Sequence, residues 1–141
     1  MKILLAVDGS EYSRRAANFV VKHLSWLAQP PELHLLHVHA PIPYPGAAAA
    51  AGKGAVEKYQ REESEAALAV AQKELAAANV PSKSSWRVGD VVEEIARYVE
   101  QNAIDLVVVG SHGRGTLTAL ALGSVAMKIL ATVKTPALII R

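Results

Sequence analysis

The sequence predicts one α/β domain over residues 1–141, an open five-stranded parallel sheet with helices on both faces. Leu106 to Val109 is a short, continuous apolar run rich in β-branched residues and bounded by Asp105 and Gly110, the pattern of a strand buried on both sides. Ile3 to Val7 is a second such run and ends at Asp8. Stretches with apolar residues at helical spacing alternate with the strands, giving β-α-β-α-β-α-β-α-β, which demands crossover connections and hence parallel pairing. Right-handed crossovers alone leave the strand order open.

After the first strand, Ser10 can cap a helix, Glu11 suits its first turn, and Ala16, Val20, Leu24 and Leu27 share one face up to Pro30-Pro31. Glu32 to Ala40 reads as a strand, with apolar character from Leu33, Leu35 and Leu36 and with His37, Val38 and His39 near its end. From Pro41 to Gly54 the composition shifts to Pro, Gly and Ala. Gly52 and Gly54 each disfavour helix by about 1 kcal/mol, so this stretch is expected to be a loop, with a lid in which Lys53 reaches a ligand as its functional reading.

Val56 to Ala78 is a long alanine-rich helix in which Glu57 and Arg61 have the supportive four-residue spacing, and Asn79 and Pro81 end it. Ser84 to Val88 is a mostly polar strand and is expected near a sheet edge. Asp90 to Glu93 forms a capping box for a helix whose apolar face is Val92, Ile95, Ala96 and Val99 and which closes at Asn102. Gly123 and Ser124 open the last helix, Val125 to Ala131, with Ser124 as its expected cap, and Pro136 to Arg141 supplies the last strand.

Composition narrows the function. A chain of 141 residues is long enough to bury about two thirds of its unfolded surface as one domain. The formal charge is +2, but Arg14-Arg15 is the only adjacent basic pair, so no basic stripe argues for nucleic acid. The absence of cysteine removes disulfides, thiol catalysis and thiolate metal sites. Asp8 cuts the first apolar run too short for a signal peptide, and no run reaches the 18 or so residues of a membrane span. A cytoplasmic protein without membrane association is the expectation.

The chemistry concentrates between Gly110 and Val125. Gly110, Gly113 and Gly115 lie where a strand must turn, and they let backbone N–H groups approach a ligand; a helix N-terminus then follows at Val125. Strand, glycine loop and helix start together suit a phosphate, because free N–H groups and the positive dipole end converge there. Two familiar phosphate loops fail. Gly110 to Gly115 has the P-loop glycine spacing, but Thr116 and Leu117 stand where Lys and Ser/Thr are required. Gly113 and Gly115 are followed by Thr118 where a dinucleotide fingerprint needs glycine.

The pattern that fits is Gly-x2-Gly-x9-Gly-Ser, met by Gly110, Gly113, Gly123 and Ser124, and here the sequence resembles the ATP-binding branch of the universal stress protein family. Val7-Asp8-Gly9-Ser10 and Pro136 to Arg141 also look like family segments, so the likeness spans nearly the whole chain. The resemblance implies strand order 3-2-1-4-5, a Rossmann-like sheet whose strands one and four meet at the topological switch point, where ligands bind beyond the strand ends. It implies ATP with Mg²⁺ as the ligand, Asp8 as a ribose or phosphate-metal contact, and an adenine contact through the backbone of Val38. Gly110, Gly113, Gly123, Ser124 and Val125 would hold phosphate, and His112 and Arg114, which flank Gly113, could touch it.

His37 and His39 share a strand face and could be joined by His112, but two histidines with no fixed third ligand are weak evidence for a metal site. The leading functional reading is an ATP-binding stress-response or signalling module. Its rivals are a slow ATPase or phosphoryl or adenylyl transferase, which lacks a P-loop lysine and an evident general base, and a nucleotide-free dimeric scaffold. Ala137 to Ile140 is apolar throughout and, in the implied order, lies at the sheet edge, so pairing with a second copy is expected there.

Overall fold

The computed structural model describes residues 1–115 and 122–141. Its elements are β1 (Lys2–Ala6), α1 (Glu11–His23), a 3-10 turn (Leu24–Trp26), β2 (Glu32–His39), α2 (Pro45–Ala51), α3 (Lys53–Ala77), β3 (Ser82–Val88), α4 (Val91–Asn102), β4 (Leu106–Gly110), α5 (Ser124–Thr132) and β5 (Ala137–Ile140). The strands form one parallel sheet in the order β3-β2-β1-β4-β5, with Ile3 opposite Leu33 on one side and Leu106 on the other. The order implied by the family resemblance is the observed one.

Alternation along the central strands divides the core into two layers. Ile3, Leu5, Leu33, Leu35 and Val108 point to the face covered by α1 and α3, where Ala16, Val20, Leu68 and Leu75 pack on them. Leu4, Leu36, Val38, Val107 and Val109 point to the other face and meet Ile95 and Val99 of α4 and Ile129 of α5. Both faces of β1 and β4 are covered, which is why their sequences are apolar without alternation. The polar strand β3 lies at one edge, as its composition predicts, and β5 lies at the other.

Several boundaries differ from expectation. The stretch expected as a loop from Pro41 to Gly54 contains α2, because Pro45 occupies the first helical turn, where its missing N–H costs nothing, and the alanines that follow propagate the helix. Gly52, at φ +85°, breaks the chain into α3, which starts at Lys53 rather than Val56. On α3 the four-apart ion pairs are Lys53–Glu57 and Lys58–Glu62 instead of Glu57–Arg61. Helix α1 ends at His23, before Leu27, because the His23 Nδ1 donates to the Phe19 carbonyl and the chain tightens into the 3-10 turn.

Asp90 caps α4 by accepting from the Val92 and Glu93 N–H groups at 3.0 and 3.1 Å, but Glu93 turns to Arg97, so only half of the capping box forms. The N-cap of α5 is Gly123 and not Ser124, which is already helical. No helix among the described residues is long and apolar enough to cross a membrane.

Candidate functional site

Strands β1 and β4 are neighbours whose following segments leave toward opposite faces, and a cleft of about 290 Å³ opens beyond their carboxyl ends. Its floor is apolar: Ala6, Leu36, Val38 and Val109 from the strands, Val91 and Ile95 from α4, and Ala126 from α5. Its rim is made of Asp8, the loop from Gly110 to Gly115, and Gly123 to Val125. Asp8, Val38, Gly110, His112, Gly113, Arg114, Gly123, Ser124 and Val125, the nine positions singled out from sequence, all line this cleft.

Asp8 is the joint of the site. Its Oδ1 accepts from the Ser10 N–H at 3.0 Å and from the Ser13 hydroxyl at 2.8 Å, which fixes the turn into α1. Its Oδ2 accepts from the Arg114 N–H at 3.0 Å, which fixes the glycine loop. Burial alone would raise its pKa, but the donors from Ser10, Ser13 and the Arg114 backbone outweigh burial, and the net shift is downward. Three donors occupy this carboxylate, two on Oδ1 and one on Oδ2, and among the described residues no group of three acidic or imidazole side chains is placed to hold a metal by itself.

The glycines serve close packing more than turning. Of the nine in the chain, Gly9, Gly52 and Gly89 have positive φ; none of Gly110, Gly113, Gly115 or Gly123 does. A Cβ at Gly110 would lie 2.6 Å from the Tyr12 Cβ, at Gly113 2.6 Å from the Asp8 Oδ2, and at Gly123 2.9 Å from the Ser111 carbonyl oxygen. The loop is thus pressed against α1, Asp8 and its own strand end. At Gly115 an added Cβ meets nothing within 4 Å among the described residues.

Helix α5 brings an uncapped N-terminus to the cleft. No side chain among the described residues caps its N-terminus, and Ser124, Val125 and Ala126, whose N–H groups precede the first intrahelical bond at Met127, all line the cleft. Segment 116–121, which joins the two halves of the glycine motif, lies outside the described residues.

The remaining candidates separate. The His37 ring is buried, with Nδ1 donating to the Val7 carbonyl at 2.8 Å, and the His39 Nδ1 donates to its neighbour, the Ala40 carbonyl. The His112 Nδ1 bonds the Ser111 hydroxyl, and its ring lies against Tyr12. The three histidines are therefore engaged separately and form no metal set. Lys53 is 91% exposed, pairs with Glu57 and does not line the cleft, so the lid reading finds no support in its position.

Sequence reasoning missed Ser13, which holds Asp8, and the floor residues Val91 and Ile95. Ile95 was legible only as core, because one apolar helix face both packs on the sheet and lines the cleft.

Burial lowers the His37 pKa below its ordinary 6.5, opposed by the bond to Val7 and assisted by the Arg114 charge. The folded state thus prefers neutral His37 and ionised Asp8. The His37 contribution to stability is complete above 6.5 and is lost as pH falls through its lower folded value; that of Asp8 persists to below 3.8. Urea unfolding at about pH 7.5 and about pH 5.5 should show a stability loss at the lower value that shrinks in His37→Gln, which keeps a donor for Val7 but cannot titrate. An undiminished loss in that variant would assign the effect to another group.

The universal stress protein family model matches residues 1–141. Universal stress protein YxiE of Bacillus subtilis is 29% identical over 147 residues, covering 99% of this chain and 98% of that protein. A universal stress protein of Thermus aquaticus is 32% identical, covering 99% of this chain and 97% of its own length. Among solved structures, hypothetical protein MJ0577 has a TM-score of 0.80 at 26% identity, covering 99% of this chain and 94% of that one. Universal stress proteins solved with cAMP, with dAMP (Archaeoglobus fulgidus) and with AMP (Arabidopsis thaliana) share the fold at TM-scores of 0.70, 0.71 and 0.69 and identities of 23%, 18% and 17%. Those matches cover at least 99% of this chain and at least 91% of theirs. With a family model spanning every residue and full-length relatives on both sides of the comparison, the chain belongs to the universal stress protein family.

Proposed function

We propose that the cleft binds an adenine nucleotide, ATP in the first place, and that the protein acts as a nucleotide-dependent signalling module in a stress response. The carrying observation is the N-terminus of α5: Ser124, Val125 and Ala126, whose N–H groups have no intrahelical partner and no side-chain cap, line the cleft beside a floor apolar enough for a purine. The backbone of Val38, on that floor, is the candidate reader of the base edge, and Gly110, Gly113, Gly123, Ser124 and Val125 are the candidate phosphate cradle, with His112 and Arg114 at its rim. The nucleotide complexes of other universal stress proteins support the ligand class. Magnesium enters as a companion of the phosphates, with the acceptor site left on the Asp8 Oδ2 as its candidate protein ligand. Mass spectrometry of small molecules released from the natively purified protein tests the reading. ATP or a related adenine nucleotide at near-stoichiometric amount is expected, and a protein that neither carries nor binds one overturns it.

We further propose a homodimer through β5. The strand ends the sheet, so the groups on its outer side are free to pair with a second copy about a two-fold axis. Its ladder tells the two sides apart. Pro136 and Ile140 give their carbonyls to Val107 and Ser111 of the neighbouring segment, so the backbone of Ile140 faces inward and that of Ile139 outward. Ile139→Pro should therefore give a folded monomer, and Ile140→Pro a destabilised protein that has lost a ladder bond. Light scattering at micromolar concentration decides it, and a monomeric parent would sink the dimer.

A further inference from the structure

Arg114 is the one Lys or Arg between Gly110 and Val125, and it is held twice. Its backbone N–H is fixed by the Asp8 Oδ2, while its guanidinium crosses above Gly9 and meets the Glu63 Oε2 of α3 at 3.4 Å. Gly9 is required by its φ of +78° and by the Ala67 Cα, 2.9 Å from where a Cβ would lie, and the Arg114 guanidinium passes 3.0 Å from the same point. The two ends of this arrangement differ in strength. The Asp8 bond is charge-assisted at 3.0 Å, whereas Glu63 and Arg114 are 42% and 53% exposed and meet through one long contact. The same fold makes a tight two-pronged pair elsewhere, with Arg14 on Glu11 at 2.8 and 2.5 Å. The Glu63 contact has none of that geometry.

Arg114 also lines the cleft, and Glu63 does not. The Arg114 backbone is anchored at the rim of the cleft, so its long side chain, now on Glu63, starts from a point that a cleft-bound anion would adjoin. We propose that Glu63 and a ligand phosphate compete for the Arg114 side chain, so that Glu63 tempers the affinity of the cleft for phosphate-bearing ligands and is released on the outer face of α3 when the cleft is filled. This rests on the nucleotide reading of the cleft. Because linkage is reciprocal, anything that neutralises Glu63 from outside tightens the nucleotide by the same factor that the nucleotide favours its binding. Glu63 is thereby an affinity-setting and coupling residue, although it touches no ligand.

Calorimetric titration of MgATP into the parent, Glu63→Gln, Arg114→Gln and the double variant tests this as a double-mutant cycle. Glu63→Gln should tighten ATP about two- to five-fold, the scale of an exposed ion pair, and Arg114→Gln should weaken it. In the Arg114→Gln background the gain from Glu63→Gln should vanish. Both exchanges are at exposed side chains, and circular dichroism melts verify that each of the three variants is folded. If the parent binds ATP and Glu63→Gln leaves the affinity unchanged, the competition is overturned while the nucleotide reading stands. A gain of equal size in the Arg114→Gln background overturns it too, since removal of simple charge repulsion then accounts for the effect. If the parent binds no ATP, both readings fall.

Discussion

Replacing Gly110 by alanine is expected to destabilise the fold by about 1–3 kcal/mol, the usual cost of forcing atoms into a packed interior, and to lower the melting temperature by about 3–10 °C. The new methyl group would lie 2.6 Å from the Tyr12 Cβ and 3.1 Å from the Tyr12 carbonyl carbon, so it meets backbone that is fixed at the start of α1 and cannot swing aside. Gly115→Ala is the internal control. Its Cβ meets nothing within 4 Å among the described residues and its φ is not positive, so its stability should stay within about 0.5 kcal/mol of the parent. Thermal melts of the two variants without added ligand decide the matter. Equal behaviour of the pair would mean that the approach of α1 to β4 yields more easily than its geometry indicates.

ATP at 100 times its Kd is expected to stabilise the protein by about 2.7 kcal/mol and to raise the melting temperature by several degrees, and Gly113→Val should abolish that rise. The reason is specific to this loop. A Cβ at Gly113 would lie 2.6 Å from the Asp8 Oδ2, the oxygen that accepts the Arg114 N–H, so a branched side chain separates the loop from its anchor and moves the N–H groups meant for phosphate. The comparison is made as a ligand-induced shift within each variant, which removes any change in the unliganded melting temperature. An unchanged shift in Gly113→Val would take Gly113 out of the binding site.

The sheet was legible because its central strands carry their own evidence: β1 and β4 are apolar on both faces, and β3 is polar because it lies at an edge. Their order was not, since right-handed crossovers permit several arrangements and only the family resemblance selected 3-2-1-4-5. Helix α2 escaped detection because a proline reads as a breaker unless it is known to occupy a first turn, and position within a helix is a property of the folded chain. In the site, the glycines were found by spacing but for an incomplete reason. A sequence shows where side chains are missing and not what would have collided with them, and at Gly110 the collision is with Tyr12, 98 positions away in the chain. Ser13 was invisible for a related reason: a serine in the first turn of a helix is ordinary, and its hydroxyl matters only because Asp8 turns toward it.

Asp8 ties two segments of the chain together through one carboxylate. Since Oδ1 belongs to the start of α1 and Oδ2 to the glycine loop, a displacement of the loop tilts the carboxylate and draws on Ser10 and Ser13 at the base of the helix. Helix α1 runs about 20 Å from this tie, back along the sheet to an end where the Trp26 indole is 72% exposed, its ring centroid 4.1 Å from that of His23. The molecule thus carries its own optical gauge at the pole opposite the cleft. With the second tryptophan, Trp86, replaced by phenylalanine, the fluorescence of Trp26 reports on the joint without any label attached.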